Sequence, residues 1–215
     1  MARSRSFTFR AGGLGYLVAF AVFYHYAIRP RILSVGVEGD EATCPLPGDA
    51  FVTIPSYQTT RALTVHAPPA AVWGWLAQLG RKGTGFYGLD ALTNNGQPSA
   101  AYLRHDLPPL SIGMSMDGGY EVLDVSPAEW LVYGSFGLST PIGQPMSQTV
   151  SFNLTPHPEG TRLIRRVRGY VLGRLGKPYS RLLEVIDHFE GTVQMDNLRT
   201  RAEVMASLVK APTSP

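Results

Sequence analysis

One cysteine, Cys44, stands in the whole chain. A lone thiol forms neither an internal disulfide nor a multi-cysteine metal site, and it says nothing about redox compartment. Charge is scarce too: Asp, Glu, Lys and Arg make up 16% of the residues, and 19 basic against 16 acidic ones leave a net +3. The basic residues do not gather on one face with interleaved aromatics, so nucleic acid is not an expected partner. His25, His66, His105, His157 and His188 are scattered, and none falls at a two-histidine metal spacing. No serine sits in a nucleophile elbow, and no internal repeat is present. Neither a metal nor a cofactor is expected.

What is present is apolar. The chain has 215 residues, 44% of them hydrophobic, enough for one domain with a real core and an extension. From Ala11 to Ile28 the run AGGLGYLVAFAVFYHYAI carries no formal charge, and Arg10 and Arg29 bracket it. As a helix it spans about 27 Å at ~1.5 Å per residue. That falls just short of the roughly 30 Å hydrocarbon core, and the bracketing arginines can snorkel to close the gap. Tyr24 and Tyr26 suit the headgroup layer at one end. The reading is a basic segment at 1–10 followed by a transmembrane helix at 11–28. A cleaved signal peptide is the alternative, with Ala19-Phe20-Ala21 as its processing site; that triplet lies inside the apolar run, not after it.

Ala11, Gly15 and Ala19 fall at four-residue spacing, a small-residue face on which another membrane helix can pack closely. The expected partners are therefore the lipid bilayer and an integral membrane protein reached through this helix. Arg3, Arg5 and Arg10 precede the span, while Arg29 and Arg31 follow it ahead of Glu38, Asp40 and Glu41. The positive-inside rule favours a cytoplasmic N-terminus and a domain on the other side.

The stretch RKGTGFYGLD, 81–90, contains a match to G-x-G-x-x-G. A dinucleotide fingerprint must follow a strand and open a helix, so that the pyrophosphate meets the helix N-terminus. Here the motif follows a helix instead. Val72, Trp75, Leu76 and Leu79 keep the i, i+3, i+4, i+7 pattern over 70–79, and Gly80 closes it. The glycines read as a turn into a second helix at roughly 86–94. Upstream, 29–60 is an irregular lead-in, and 61–67 alternates as a strand. Downstream, extended segments near 112–116 and at 119–125, 130–136, 148–157 and 161–170 are separated by turn signals, which spells an antiparallel meander. A long amphipathic helix over 179–209 follows, with Leu182, Ile186, Phe189 and Val193 on its apolar face, and a tail at 210–215.

This order of elements is that of an α+β helix-grip fold, one domain over 61–209. LPGD at 46–49, TTRALTVHAPPAAVWGWLAQLG at 59–80, GFYGLDAL at 85–92, GTRLIRRVR at 160–168 and LRTRAE at 198–203 resemble the START-related SRPBCC superfamily. The similarity is to a bacterial, polyketide-cyclase-like branch that often carries an N-terminal membrane span. It implies a START-like antiparallel sheet wrapped on a long C-terminal helix, and a single-pass protein of the bacterial cytoplasmic membrane. Where that branch tends to have a serine, aromatics and an acid, this chain has Gly88, Leu89, Ala91 and Thr93, and Met114 replaces a further acid.

A sheet gripping its last helix leaves an apolar hollow. Phe86, Tyr87, Tyr102, Tyr133, Phe152, Phe189 and Met195 are the candidates to line it. Leu163, Arg165 and Val167 share one face of their strand. If that face looks inward, Arg165 is a cation at the wall and needs a carboxylate, a carbonyl or an anionic ligand head. Otherwise it is an edge arginine paired to Glu121 or Asp124. His105-Asp106 is the one adjacent base and orienter, in a loop-like setting. Glu184, Asp187 and Glu190 read as the wet face of the last helix. The expected function is a membrane-anchored domain without catalysis of its own, holding a lipid-like or other apolar molecule or serving as a docking body. Accessory subunit of a larger membrane complex, respiratory or photosynthetic, is a second reading. A polyketide-cyclase-like enzyme is a third.

Overall fold

The computed structural model describes residues 15–210. Positions 11–14 of the expected membrane span, and with them Ala11, lie outside that range. The rest of the run is helical from 15 to 33 (α1), wound as a π-helix over Tyr24–Ile28 and as an α-helix over Arg29–Leu33. Pro30 explains the change of winding. A proline ring collides with the carbonyl four residues earlier, and a wider turn just ahead of it relieves the collision. Tyr16, Leu17, Val18, Phe20, Val22 and Phe23 are all exposed, so this part of α1 covers no core. Among the described residues no helix is long and apolar enough to cross a membrane.

Seven strands form one sheet in the order β1-β2-β7-β6-β5-β4-β3. They are β1 (Ser34–Val35), β2 (Tyr57–Val65), β3 (Ser115–Met116), β4 (Tyr120–Ser126), β5 (Trp130–Ser139), β6 (Pro145–His157) and β7 (Gly160–Val171). The β1 and β2 pair is parallel and every other pair antiparallel. Strand β2 starts at Tyr57, inside the stretch read as irregular lead-in. Three helices complete the domain: α2 (Pro69–Leu76), α3 (Asp90–Thr93) and the long α4 (Gly176–Lys210). This mixed α+β architecture, with one sheet against a long C-terminal helix, fits a helix-grip fold.

The second helix expected at 86–94 is reduced to the single turn α3. Gly83 and Gly85 take positive φ, and so does Tyr87 at φ 60, which no continuous helix tolerates. Gly80 is needed as glycine on two counts. Its φ is +61, and a Cβ there would come within 2.5 Å of the Phe86 ring. The motif thus folds Phe86 and Tyr87 back into the core, and it opens no helix at which a pyrophosphate could sit.

Two layers cover the sheet. On the inner face Leu131, Phe152, Leu154 and Leu163 meet Leu76 and Leu79 near α2 and Met195, Leu198 and Ala202 on α4, all buried in one cluster. Each Leu, Phe or Met among them contributes roughly 1.5–3 kcal/mol on burial. On the outer face the segment 36–53 lies against β5, β6 and β7. Gly48 sits so close that a Cβ would be 2.9 Å from Val132 Cγ1. The arginines of β7 fasten it. Arg162 donates to both oxygens of Glu41, at 2.7 Å each, and Arg166 donates to Asp49 Oδ2 at 2.7 Å and to the carbonyls of Cys44 and Glu41.

The first half of α4 reverses the expected register. Leu182, Ile186 and Phe189 are exposed, while Glu184, Asp187 and Glu190 turn inward. Arginines waiting on the sheet and on α1 decide this, because burying them without carboxylates costs far more than exposing three apolar side chains. Arg29 donates to both oxygens of the fully buried Glu184 at 2.8 Å, and Arg181 adds a third bond. From Met195 the periodicity holds for Met195, Leu198, Ala202 and Ala206, which face the core, while Val204, Leu208 and Val209 in the last turns are exposed.

Candidate functional site

Arg61 on β2 and Arg165 on β7 are directly opposed across the strand pair. Two like charges so placed repel, and the register forces a counter-ion between them. Asp187 of α4 fills that place. Its carboxylate accepts from Arg61 Nη1, from Arg165 Nη1 at 2.8 Å and from Thr59 Oγ1 at 2.5 Å. Arg165 Nε donates to Gln194 Oε1 at 2.6 Å, and Gln194 Nε2 in turn donates to the Phe86 carbonyl at 2.7 Å. Glu190 Oε2 lies 3.5 Å from Arg165 Nη2. Gly191 makes this approach feasible, since a Cβ there would be 2.6 Å from Arg165 Nη1.

Burial and charge pull these groups in different directions. For Asp187 burial favours the neutral acid, but Arg165, Arg61 and the Thr59 hydroxyl together outweigh it and hold its pKa below the ordinary carboxylate value. Burial likewise works against the charge on Arg165, and Asp187 and Glu190 more than restore it. Arg61 is left somewhat lowered by burial and by repulsion from Arg165, against the pull of Asp187. Its Nε is buried with no partner among the described residues. Glu190 goes the other way: burial raises its pKa, Asp187 adds repulsion, and Arg165 offsets only part of this.

This charged wall closes one end of a cavity of about 350 Å³, within the range of small-molecule sites. Tyr57, Phe86, Tyr120 and Tyr133 supply aromatic walls, and Met146, Val150 and Leu183 supply aliphatic ones. Tyr57 Oη donates to Gln148 Oε1 at 2.5 Å, and Gln148 Nε2 donates to Tyr120 Oη at 3.1 Å, so the hydroxyls that reach the wall are partnered. Tyr120 meets Tyr133 edge to face at 5.3 Å, a favoured aromatic geometry. Leu92 and Ile186, both exposed, mark the mouth.

Of the residues proposed from sequence, Phe86, Tyr133 and Arg165 line this cavity. Phe152 lies behind Tyr133 in the core, stacked on it at 6.4 Å. Tyr87 is buried elsewhere, its hydroxyl accepting from Gln78 and its ring under the Arg201 guanidinium. Met195 is core, whereas Tyr102 and Phe189 are 69% and 60% exposed. Arg165 finds its carboxylates on α4, not at Glu121 or Asp124 of β4. His105 and Asp106, adjacent in a loop as read from the sequence, do not pair; Asp106 accepts instead from Arg104, at 2.9 and 2.5 Å. Gly15 and Ala19 are exposed on α1. Among the described residues no group of three or more His, Cys, Asp or Glu is placed to hold a metal ion.

Sequence reasoning missed Arg61, Asp187, Glu190 and Gln194. The signal was there. Arg61 has the parity of Leu63 on β2, and 187, 190 and 194 keep helical spacing opposite a strand that carries Arg165.

No protein-family profile matches the chain, and no curated protein is similar to it in sequence. Several solved bacterial structures are similar in fold. MLL2253 from Mesorhizobium loti is 20% identical over 69% of this chain and 98% of its own, with a TM-score of 0.47. NE0264 from Nitrosomonas europaea is 17% identical over 75% and 99%, TM-score 0.45. DynU16, described as a putative protein in the dynemicin biosynthetic locus, is 22% identical over 69% of this chain and 48% of its own, TM-score 0.41.

Proposed function

We propose that this protein holds a small apolar molecule with a polar head in its helix-grip cavity, without converting it, and that α1 with the residues before it tethers it to a bacterial cytoplasmic membrane. The observation that carries the reading is the cavity itself: walled mainly by aromatic and aliphatic side chains, with Leu92 and Ile186 at its mouth, and carrying its charged groups together at Arg165, Asp187 and Glu190. Burying about 300 Å² of hydrocarbon there yields roughly 7 kcal/mol before the cost of immobilising the ligand, at ~25 cal/mol per Å². Holding is favoured over conversion because Arg165 and Asp187 direct their hydrogen bonds to each other and to Gln194 and Thr59. The START-related resemblance agrees with this use of the fold.

Mass spectrometry of the full-length protein under native conditions, after extraction in mild detergent, tests the cavity. The expected result is a co-purified small molecule on the native protein. Val150, 2% exposed on the cavity wall, is the residue to block it. Val150→Trp is expected to abolish the adduct at a packing cost of about 1–3 kcal/mol. An adduct unchanged in Val150→Trp, or none on the native protein, overturns the reading.

The tether rests on the apolar side chains exposed all around α1 from Tyr16 to Phe23, which a water-facing helix would not present. The full chain is expected in the membrane pellet after a carbonate wash and in solution after detergent. Recovery in the carbonate supernatant removes the tether. The arginine distribution favours a domain outside the cytoplasm, and in this reading the small face at Gly15 and Ala19 offers a surface for a partner helix.

A further inference from the structure

Glu190 is held in the cavity wall with little to hold it. Among the described residues its carboxylate accepts no hydrogen bond, and it approaches Arg165 Nη2 only to 3.5 Å. It lies close against the chain at Gly88, where a Cβ would fall 1.8 Å from Glu190 Oε1 and push the carboxylate aside. Arg165, 4% exposed, donates through Nε and Nη1, while Nη2 donates to no acceptor among the described residues. One arm of a buried guanidinium therefore lies at the cavity beside a carboxylate that is close enough for an ion pair but forms no hydrogen bond with it.

Resting on the cavity as a ligand site, we propose that its polar end takes the carboxylate of an apolar monocarboxylic acid on Arg165 Nη2, and that Glu190 yields its place by taking up a proton. The charges balance. Arg61, Arg165 and Asp187 sum to +1, which either an ionised Glu190 or a bound carboxylate neutralises. Both together leave the buried wall at −1, and two carboxylates sharing one cation push the weaker acid to its neutral form. Glu190 is that acid, because burial already disfavours its charge. The groups facing it are Arg165 from β7, Arg61 from β2, Tyr120 from β4, Tyr133 from β5 and Asp187 on its own helix. An oxygen of the ligand then meets the guanidinium in a charge-assisted bond, and the apolar body runs past Phe86 and Val150 toward the mouth. At ~30 Å³ per water-sized group, the space suits about a dozen non-hydrogen atoms, the size of decanoate.

Proton uptake makes affinity depend on pH with a defined sign. Between the free and ligand-bound pKa of Glu190, binding takes up one proton, so affinity rises as pH falls, by up to about tenfold per pH unit. The test uses the full-length protein in lipid nanodiscs, with empty nanodiscs as the blank for partitioning. Binding of decanoate and of 1-decanol is measured by equilibrium dialysis at several pH values above that at which decanoate itself protonates. The expected result is decanoate binding that strengthens toward lower pH, decanol binding that is flat, and a Glu190→Gln variant that binds decanoate about tenfold tighter than the native protein at the highest pH with the slope removed. Equal, pH-independent binding of both probes to the native protein overturns the carboxylate site while leaving the cavity reading intact. Failure of both probes to bind either protein overturns the cavity reading as well. The slope is measured on the native chain, so the outcome does not depend on the variant folding.

Discussion

Replacing Asp187 by alanine is expected to lower stability by about 3–5 kcal/mol. It leaves two buried guanidiniums face to face across β2 and β7, with only Glu190, 3.5 Å from Arg165 Nη2, to answer them. In a chain of this size about 2–4 °C of Tm follow each kcal/mol, so a loss of roughly 10 °C is the expected reading in thermal unfolding followed by tryptophan fluorescence. The double change Asp187→Ala with Arg165→Met is expected to recover a large part of the loss, because it removes one stranded cation; purely additive costs would contradict the network. The pH dependence has a fixed sign. The folded pKa of Asp187 lies below its unfolded value of about 3.9. Its contribution is therefore fully present above that unfolded value and is lost as pH falls through the depressed folded one. Glu190 behaves oppositely. Its raised pKa means the folded state is favoured at low pH and penalised as pH rises through that pKa, so Glu190→Gln is expected to stabilise the free protein at neutral pH.

Arg166→Ala carries the next largest expectation, a loss of about 3 kcal/mol. Arg166 is 2% exposed and the largest fully buried side chain of the described residues. Its guanidinium serves Thr60, Cys44, Asp49 and Glu41 at once. Asp49 is partly exposed and keeps Arg168 at 3.3 Å, which places the cost at the low end for a broken buried pair. The stronger readout is local. With Arg166 gone, the segment 36–53 is expected to lift from the outer face of the sheet, and glutamyl endopeptidase is expected to cut at Glu38 and Glu41 at least tenfold faster. An unchanged cleavage rate would show that Arg162 alone holds the segment.

How far the sequence told of this architecture depends on where local pattern and tertiary demand agree. Alternation of side-chain type and the turn residues that bound them gave the long strands β6 and β7. Periodicity gave α2 and the second half of α4, where Met195, Leu198 and Ala202 do face the core. It failed in the first half of α4, where hydrophobicity assigns Leu182, Ile186 and Phe189 to the inside. The arginines of β2, β7 and α1 override that assignment by claiming Glu184, Asp187 and Glu190; parity and helical spacing hint at the match, and the strand register that sets Arg61 opposite Arg165 completes it. The cavity followed the same logic. Phe86 and Tyr133 could be named because aromatic residues beside a grip helix have few other places to go. Tyr57 and Tyr120 could not, since their role depends on Gln148 joining them from a third strand.

The bond between Arg29 and Glu184 has a mechanical consequence. α1 passes into β1 without an intervening loop, and that bidentate contact rivets its lower end to α4 one turn ahead of Asp187. The N-terminal rod is therefore a stiff mast and not a slack leash. Any tilt imposed on the mast by its surroundings is delivered as torque to the helix that bears Asp187 and Glu190.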